Sequence, residues 1–430
     1  MKRVLIVAYY WPPSGGAGVQ RWVKFVQYLR DFGWEPVVYT PSNPEVPIID
    51  ETLLKEVADD LEVLKYPIWE PYSFYKKFLG KKEGHAISPG VLTEVKEKSF
   101  KERLSVWVRG NFFIPDARKF WVKPSVNYLS DYLQKNPVDA IITTGPPHSM
   151  HLIGLGLQKK TGIKWVADFR DPWTNIHFYD ELMLSTAADK KHRNLEKAVL
   201  SHADHVVSAS MSMEADFRKD GYKQVTTITN GFDQQDYSKG DGTLDAGFSL
   251  THIGTLYGSR NPQAVWQALQ ELVQNEPGFS EDFKLRLIGK TEPVVLDSIR
   301  EYGLEEHLEN LGYLAHEQVV AMQQKTQLLL LIFSQKERTI IPGKLFEYLA
   351  ARRPVVCIGS PEWDAPQILA KARAGQTALF GDKEKVKSII LEYYHLYKKG
   401  QLTLPAYDIT RFSRPALTER YAQLLDKLTA

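Results

Sequence analysis

The sequence predicts an α/β protein made of two doubly wound domains in tandem. Three observations carry that reading. Short apolar runs recur along the chain, each followed by a loop and then by apolar residues at helical spacing. The series occurs twice, broken by the polar, glycine-bearing stretch Asn230–Phe248, which reads as an interdomain linker. The chain's 430 residues also exceed what one hydrophobic core usually supports.

Taken in order, the first strand is expected over Val4–Tyr9. The loop "YWPPSGGAGVQR" follows, then a helix carrying Val19, Trp22, Val23, Val26 and Leu29, stopped by Gly33. Strand Val37–Thr40 completes a βαβ unit, which implies a parallel sheet with a ligand crevice at the strands' carboxyl ends. The runs "AIITTG" (Ala140–Gly145), "KWVADF" (Lys164–Phe169) and "DHVVSAS" (Asp204–Ser210) extend that sheet. The second series holds "SLTHIG" (Ser249–Gly254), a helix opened by Asn261-Pro262, then "KLRLIG" (Lys284–Gly289) and "LLLLIF" (Leu328–Phe333). A helix led in by Pro342, strand "PVVCIG" and a long helix after Asp382 close it. The expected division is 1–229 and 230–411, with a C-terminal helix in 412–430 whose stripe of Leu417, Tyr421, Leu424, Leu425 and Leu428 needs a partner.

Residues 66–123 fit no βα rhythm. Lysine and arginine interleave there with Phe, Trp and Tyr, which describes either an interfacial membrane surface or a packed insertion with solvated lysines; the nearby glutamates favour the second. Globally the chain is ordinary: 43% hydrophobic, 25% charged, formal net charge +2, so nothing points to nucleic acid. The single cysteine, Cys357, lies in an apolar run and reads as a buried core thiol in a reducing cytoplasm. The N-terminal apolar run is short and lacks a cleavage site, and no window approaches the ~20 apolar residues of a spanning helix, so any membrane contact is expected to be peripheral.

The loops limit the chemistry. "GGAGVQR" lacks the third glycine of a dinucleotide fingerprint, and there is no Gly-Lys-Ser/Thr P-loop. Gly15, Gly16 and Gly18 ahead of a helix still allow close backbone approach and an anion site, or else a plain tight turn. "HIGTLYGSRNP" repeats the logic in the second domain, where Arg260 is either the cation for an anion or a surface arginine. The histidines show no metal-ligand spacing, no D-x-D stands in a loop, and no G-x-S-x-G occurs, so no metal or cofactor is expected. In "IIPGKLFEYLAARRPVV", Leu345, Phe346, Leu349 and Ala350 form one helical face and Lys344 with Glu347 point together from another.

The order of these motifs, together with "ADHVVSAS" and "TNGFD", resembles the GT-B retaining glycosyltransferases of family 4 over nearly the whole chain; "TTGPPHS" and "ADFRDPW" resemble members in bacterial surface-polysaccharide pathways. The resemblance implies two Rossmann-like domains facing a cleft, a nucleoside diphosphate sugar as donor, and a glycan or lipid-linked acceptor. It makes Glu347 the acceptor of hydrogen bonds from the donor's ribose, and puts Lys344 and Arg260 on the diphosphate as catalytic cations. Gly254 and Thr255 border the donor, Gly15, Gly16 and Gly18 match the loop closing on its phosphates, and His148 matches a histidine near the transferred sugar, or else a loop histidine bonded to backbone. Asp168, Arg170 and Asp171 are expected either at the acceptor or in a structural Arg–Asp pair.

Three departures stand out. Thr339 occupies the position of a customary glutamate eight residues before Glu347, with Glu337 nearby. Thr255 replaces a common arginine, whose charge Lys344, aided by Arg338, is expected to supply. Arg352 replaces a glycine at a helix end. The alternatives are a donor-binding subunit without catalysis and a nucleotide-sugar 2-epimerase.

Overall fold

The structure is a computed structural model. It describes the chain except residues 47–48, 71–99, 239–241, 335–336 and 406, and except the side chains of residues 17 and 100–102. The chain divides into two compact units, 1–229 with 414–430, and 230–413.

In the first unit seven parallel strands lie in the order β3-β2-β1-β4-β5-β6-β7. They are β1 (Lys2–Val7), β2 (Trp34–Pro41), β3 (Glu62–Tyr66), β4 (Ala140–Gly145), β5 (Lys164–Phe169), β6 (His205–Ser208) and β7 (Val225–Thr227). Side chains alternate across the sheet, so both faces can be apolar and covered. Leu5, Val7, Val37, Tyr39 and Ile141 pack on one face with residues of the helices Lys119–Lys135 and Ser149–Thr161. Val4, Ile6, Val38, Ala140 and Ile142 pack on the other with the helices Ala17–Leu29 and Arg414–Leu428. The C-terminal stripe finds its partner there: Tyr421 meets the Trp22 ring edge-on at 5.5 Å.

The second unit repeats the pattern with six parallel strands in the order β10-β9-β8-β11-β12-β13. These are β8 (Phe248–Ile253), β9 (Phe283–Ile288), β10 (Leu308–Gly312), β11 (Leu328–Ile332), β12 (Val355–Ile358) and β13 (Gly375–Ala378). Phe248, Leu250, Leu285, Leu287, Leu328 and Leu330 fill one layer; Ile253, Ile288, Leu329, Leu331, Val355 and Cys357 fill the other. Strand order reverses between β1 and β4 in the first unit and between β8 and β11 in the second. The crevice beyond those carboxyl ends is where a doubly wound sheet binds ligand.

Four strands, β3, β7, β10 and β13, are absent from the sequence-based expectation. Each is a short edge strand; β3, β10 and β13 have half-exposed side chains and β7 is only three residues long, so none shows a buried apolar run. The expected insertion is partly regular: Phe100–Phe112 and Lys119–Lys135 are helices, and Trp121 and Leu129 of the second are core residues. The basic run in 74–82 lies outside the described residues.

Candidate active site

The helix Gly343–Ala351 forms because Pro342 caps its start with an extended backbone and Leu345, Phe346 and Leu349 bury one face completely. The strand before it, β11, ends at the switch point, so the helix delivers Lys344 in its first turn to the carboxyl end of β8. There Lys344 Nζ donates to the Ile253 carbonyl at 3.0 Å. Beside it Gly254 has φ of 115°, a conformation L side chains rarely adopt, and a Cβ would come within 3.2 Å of that nitrogen. Lys344 thus stands at the strand end beside Thr255, where its charge was expected. Burial and the nearby Arg260 guanidinium push its pKa down to about 8, while Glu337 and Glu347 pull the other way.

Arg260 sits in a single 3-10 turn, Gly258–Arg260, held where the Gly258 N–H donates to Glu292 Oε2 at 2.8 Å. Its guanidinium pairs with Glu337, whose other oxygen accepts the Ser334 N–H at 2.7 Å. The Glu337 side chain is 2% exposed and that of Arg260 28%, so the pair is sealed on the carboxylate side and open on the cation side. Thr339 lies in a turn and is half-buried. Glu347, one turn along from Lys344, accepts a hydrogen bond at 3.1 Å from the fully buried Gln323, which itself accepts from the Tyr237 hydroxyl. The second unit therefore brings Lys344, Arg260, Glu337 and Glu347 into one electrostatic neighbourhood beside Gly254. Local motifs gave no sign of Gln323 and Tyr237, because their contacts join distant parts of the chain.

In the first unit the loop after β1 carries Gly15 and Gly16, and Gly18 lies in the first turn of Ala17–Leu29. A Cβ on Gly18 would overlap Arg170 Nη1, at 1.8 Å, so a larger residue here would push this guanidinium aside. Arg170 is braced by the Gly145 and Pro146 carbonyls. His148 precedes the helix Ser149–Thr161 and stacks on Trp173 with centroids 4.8 Å apart and planes 4° apart. Burial, then His151 and Arg170, hold its pKa well below the usual imidazole value, so the ring is neutral at pH 7. The alternative of a backbone-bonded histidine is not what is found: the buried Nδ1 has no hydrogen-bond partner. Asp171 is half-buried beside Arg170, and burial raises its carboxyl pKa against the pull of Arg170 and His177.

Asp168 requires a correction. Expected either at the acceptor or in a structural Arg–Asp pair, it is 0% exposed, and its oxygens are bound by Arg21 Nη2, Trp22 Nε1 and the Thr144 hydroxyl, each at 2.9 Å. Arg21 is equally buried and also bonds the carbonyls of Ile228 and Thr229. The structural Arg–Asp pair exists, but its arginine is Arg21 rather than Arg170. Among the described residues no group of three or more His, Cys, Asp or Glu side chains is arranged to hold a metal ion. Nor, among them, is any helix long and apolar enough to cross a membrane.

Residues 15–236, more than half of the sequence, match the family described as Glycosyltransferase Family 4. The chain belongs to glycosyltransferase family 4. Residues 247–395 of this family 4 chain also match Glycosyl transferases group 1, so each unit carries a match of its own. No curated protein matches it. Among solved structures it resembles a glycosyltransferase from Rickettsia africae at 12% identity and TM-score 0.60, covering 99% of this chain and 98% of that one. The lipopolysaccharide outer core galactosyltransferase WaaB in its apo form shares 15% identity at TM-score 0.59, over 99% of both chains. S. aureus TarM, solved with UDP and α-GlcNAc-glycerol, shares 10% at TM-score 0.58, over 99% of this chain and all of that one. At identities this low, the superpositions show the shared GT-B fold alone.

Proposed function

We propose that this family 4 chain is a retaining, metal-independent glycosyltransferase. It moves a sugar from a nucleoside diphosphate donor to a glycan or lipid-linked acceptor in bacterial polysaccharide synthesis. The observation that carries the reading is the gathering of two cations and a carboxylate, Lys344, Arg260 and Glu347, beside the carboxyl end of β8. A diphosphate matches the cations, and the ribose hydroxyls match a carboxylate that can accept from both. The known ligands of TarM, UDP and a glycosylated glycerol, are of the same chemical classes.

In this mechanism the bond from the sugar's anomeric carbon to the diphosphate oxygen breaks as Lys344 and Arg260 stabilise the charge that develops on the leaving group. The acceptor hydroxyl attacks the same face of the oxocarbenium-like sugar and gives its proton to a leaving phosphate oxygen, so no separate base is required. From the first unit we assign Gly15, Gly16 and Gly18 to the donor phosphates, and neutral His148 to the transferred sugar as a hydrogen-bonding group. Arg170 and Asp171 are assigned to the acceptor. Gly254 and Thr255 complete the donor contacts.

We place the enzyme in the cytoplasm, with peripheral contact at the inner membrane through the exposed Trp69, Phe112 and Phe120 beside Lys119. Donor binding by the Glu347→Ala and Arg260→Ala variants, followed by calorimetry against a panel of nucleotide sugars, tests the site. Weakening of at least tenfold is expected in each, and unimpaired binding in both overturns the assignment. Turnover of the donor without any acceptor would instead mark an epimerase.

A further inference from the structure

Glu347 is expected to meet a ribose, yet a carboxylate on a helix surface can rotate, and its two oxygens are equivalent until something distinguishes them. In this unit something does. Gln323 lies in the last turn of the helix His316–Lys325 and is 0% exposed; its Nε2 donates to Glu347 Oε2 at 3.1 Å. An amide can be turned end for end, which would present an oxygen to the carboxylate and repel it. The charge of Glu347 disfavours that, and in the orientation found the Tyr237 hydroxyl completes the amide by donating to Gln323 Oε1. Burial, then the charge of Glu347, holds the Tyr237 pKa far above its ordinary value, so the phenol keeps its proton and remains a donor. Asp236 and Tyr348 also face the phenol and act in the same direction. The chain of donors thus runs one way, from Tyr237 through Gln323 to Glu347. It engages one oxygen of the carboxylate, Oε2, and leaves Oε1 available to a further donor.

We infer that Tyr237 and Gln323 form a positioning relay that locks Glu347 in the rotamer that reads the donor's ribose hydroxyls. The relay makes the site selective for ribonucleotide over deoxyribonucleotide donors. This rests on the ribose role of Glu347 proposed above. Neither residue touches the donor. Their effect is confined to how well Glu347 is aimed, and a hydrogen bond to a charged group is the term at stake.

The test compares UDP with 2′-deoxy-UDP by calorimetry, with GDP and ADP and their deoxy counterparts used if wild type does not take UDP. Wild type is expected to prefer the ribonucleotide by about tenfold, the worth of one charge-assisted hydrogen bond. Gln323→Leu and Tyr237→Phe are expected to weaken the ribonucleotide about five- to tenfold and to bring the preference close to unity. A merely structural role would weaken both ligands alike and leave the ratio intact. Because a leucine in a buried site can impair folding, Tyr237→Phe, which removes only a hydroxyl, is the decisive variant, and thermal melting checks both. In a Glu347→Ala background the Gln323→Leu change is expected to add nothing.

Three outcomes overturn the inference. If Glu347→Ala leaves UDP binding unchanged, the ribose assignment fails and the relay with it. If Glu347→Ala weakens binding but Tyr237→Phe preserves the ribose preference, the relay alone fails. If wild type binds none of the diphosphates, the proposed function falls first.

Discussion

Each unit holds a buried carboxylate paired with an arginine, and the two pairs differ in one respect. Around Asp168 every partner is internal: both side chains of the Arg21–Asp168 pair are 0% exposed. Around Glu337 the carboxylate is buried but the Arg260 side chain keeps 28% of its surface open. The first pair can only hold the unit together, tying the helix Ala17–Leu29 to β5 and to the chain after β7. The second holds a guanidinium in place while leaving part of it open, as the proposed diphosphate contact requires. An ion pair's function therefore lies in which partner remains open, a property that residue identity alone does not carry.

The largest expected effect breaks this comparison if it fails. Asp168→Ala leaves Arg21 charged and uncompensated in the interior, which costs about 3–5 kcal/mol, so the variant is expected to be grossly destabilised in chemical denaturation. Arg260→Ala is expected to cost under about 1.5 kcal/mol, because Glu337 keeps the Ser334 amide and the charge of Lys344 nearby. Its donor kcat/KM is nevertheless expected to fall about 100-fold, as when a transition-state charge loses its partner. Equal destabilisation in the two variants would erase the distinction between a sealed and an open pair.

Much of this was readable from the chain, and what was not has a physical pattern. The inner strands of both sheets announce themselves as apolar runs, since both faces are covered. The edge strands do not, because half of their side chains meet water. Lys344 and Glu347 are legible because their relation is local, three residues along one helix. The Arg260–Glu337 and Tyr237–Gln323 contacts span 77 and 86 residues, and nothing in either segment names its partner. Asp168 was left open between an acceptor contact and a structural Arg–Asp pair, although the deciding sign was present. Strand alternation puts it on the same face as Val166, which the helices Ala17–Leu29 and Arg414–Leu428 cover. The motif "ADFRDPW" drew attention to a strand's end when the side chain's parity was the deciding fact.

Lys344 sharpens the comparison from the other direction, as a cation kept in place at some cost. With its pKa near 8, the unoccupied enzyme loses this charge as pH rises, so donor kcat/KM is expected to decline above about pH 8. In Lys344→Met the value should be low throughout and this limb absent. The stability effect has the opposite sign. The folded-state pKa lies below the ordinary lysine value of 10.5, so between pH 8 and 10.5 the unfolded chain binds more protons and the contribution of Lys344 to stability rises with pH. Below pH 8 the buried charge opposes folding, and Lys344→Met is expected to melt at least as high as wild type at pH 7. A marked fall in melting temperature would mean that the ammonium group is structural, as Arg21 is.

The smallest effect concerns a third arginine, Arg352, exposed at the end of the helix Gly343–Ala351. Its φ of 55° is left-handed, and its N–H closes the helix on the Leu349 carbonyl. A non-glycine residue in this conformation costs about 1 kcal/mol, which is why a glycine is common here. The guanidinium returns part of that by lying over the Tyr407 ring, 5.6 Å from its centroid. Arg352→Gly removes the strain but also the ring contact and adds chain entropy to the unfolded state, so its net change in urea denaturation is expected to be small, within about 0.5 kcal/mol of wild type. Arg352→Ala keeps most of the strain and loses the ring contact, so it should be less stable than wild type. If both variants are destabilised equally, the ring contact outweighs the backbone term, and Arg352 joins Arg21 as an arginine retained for the fold.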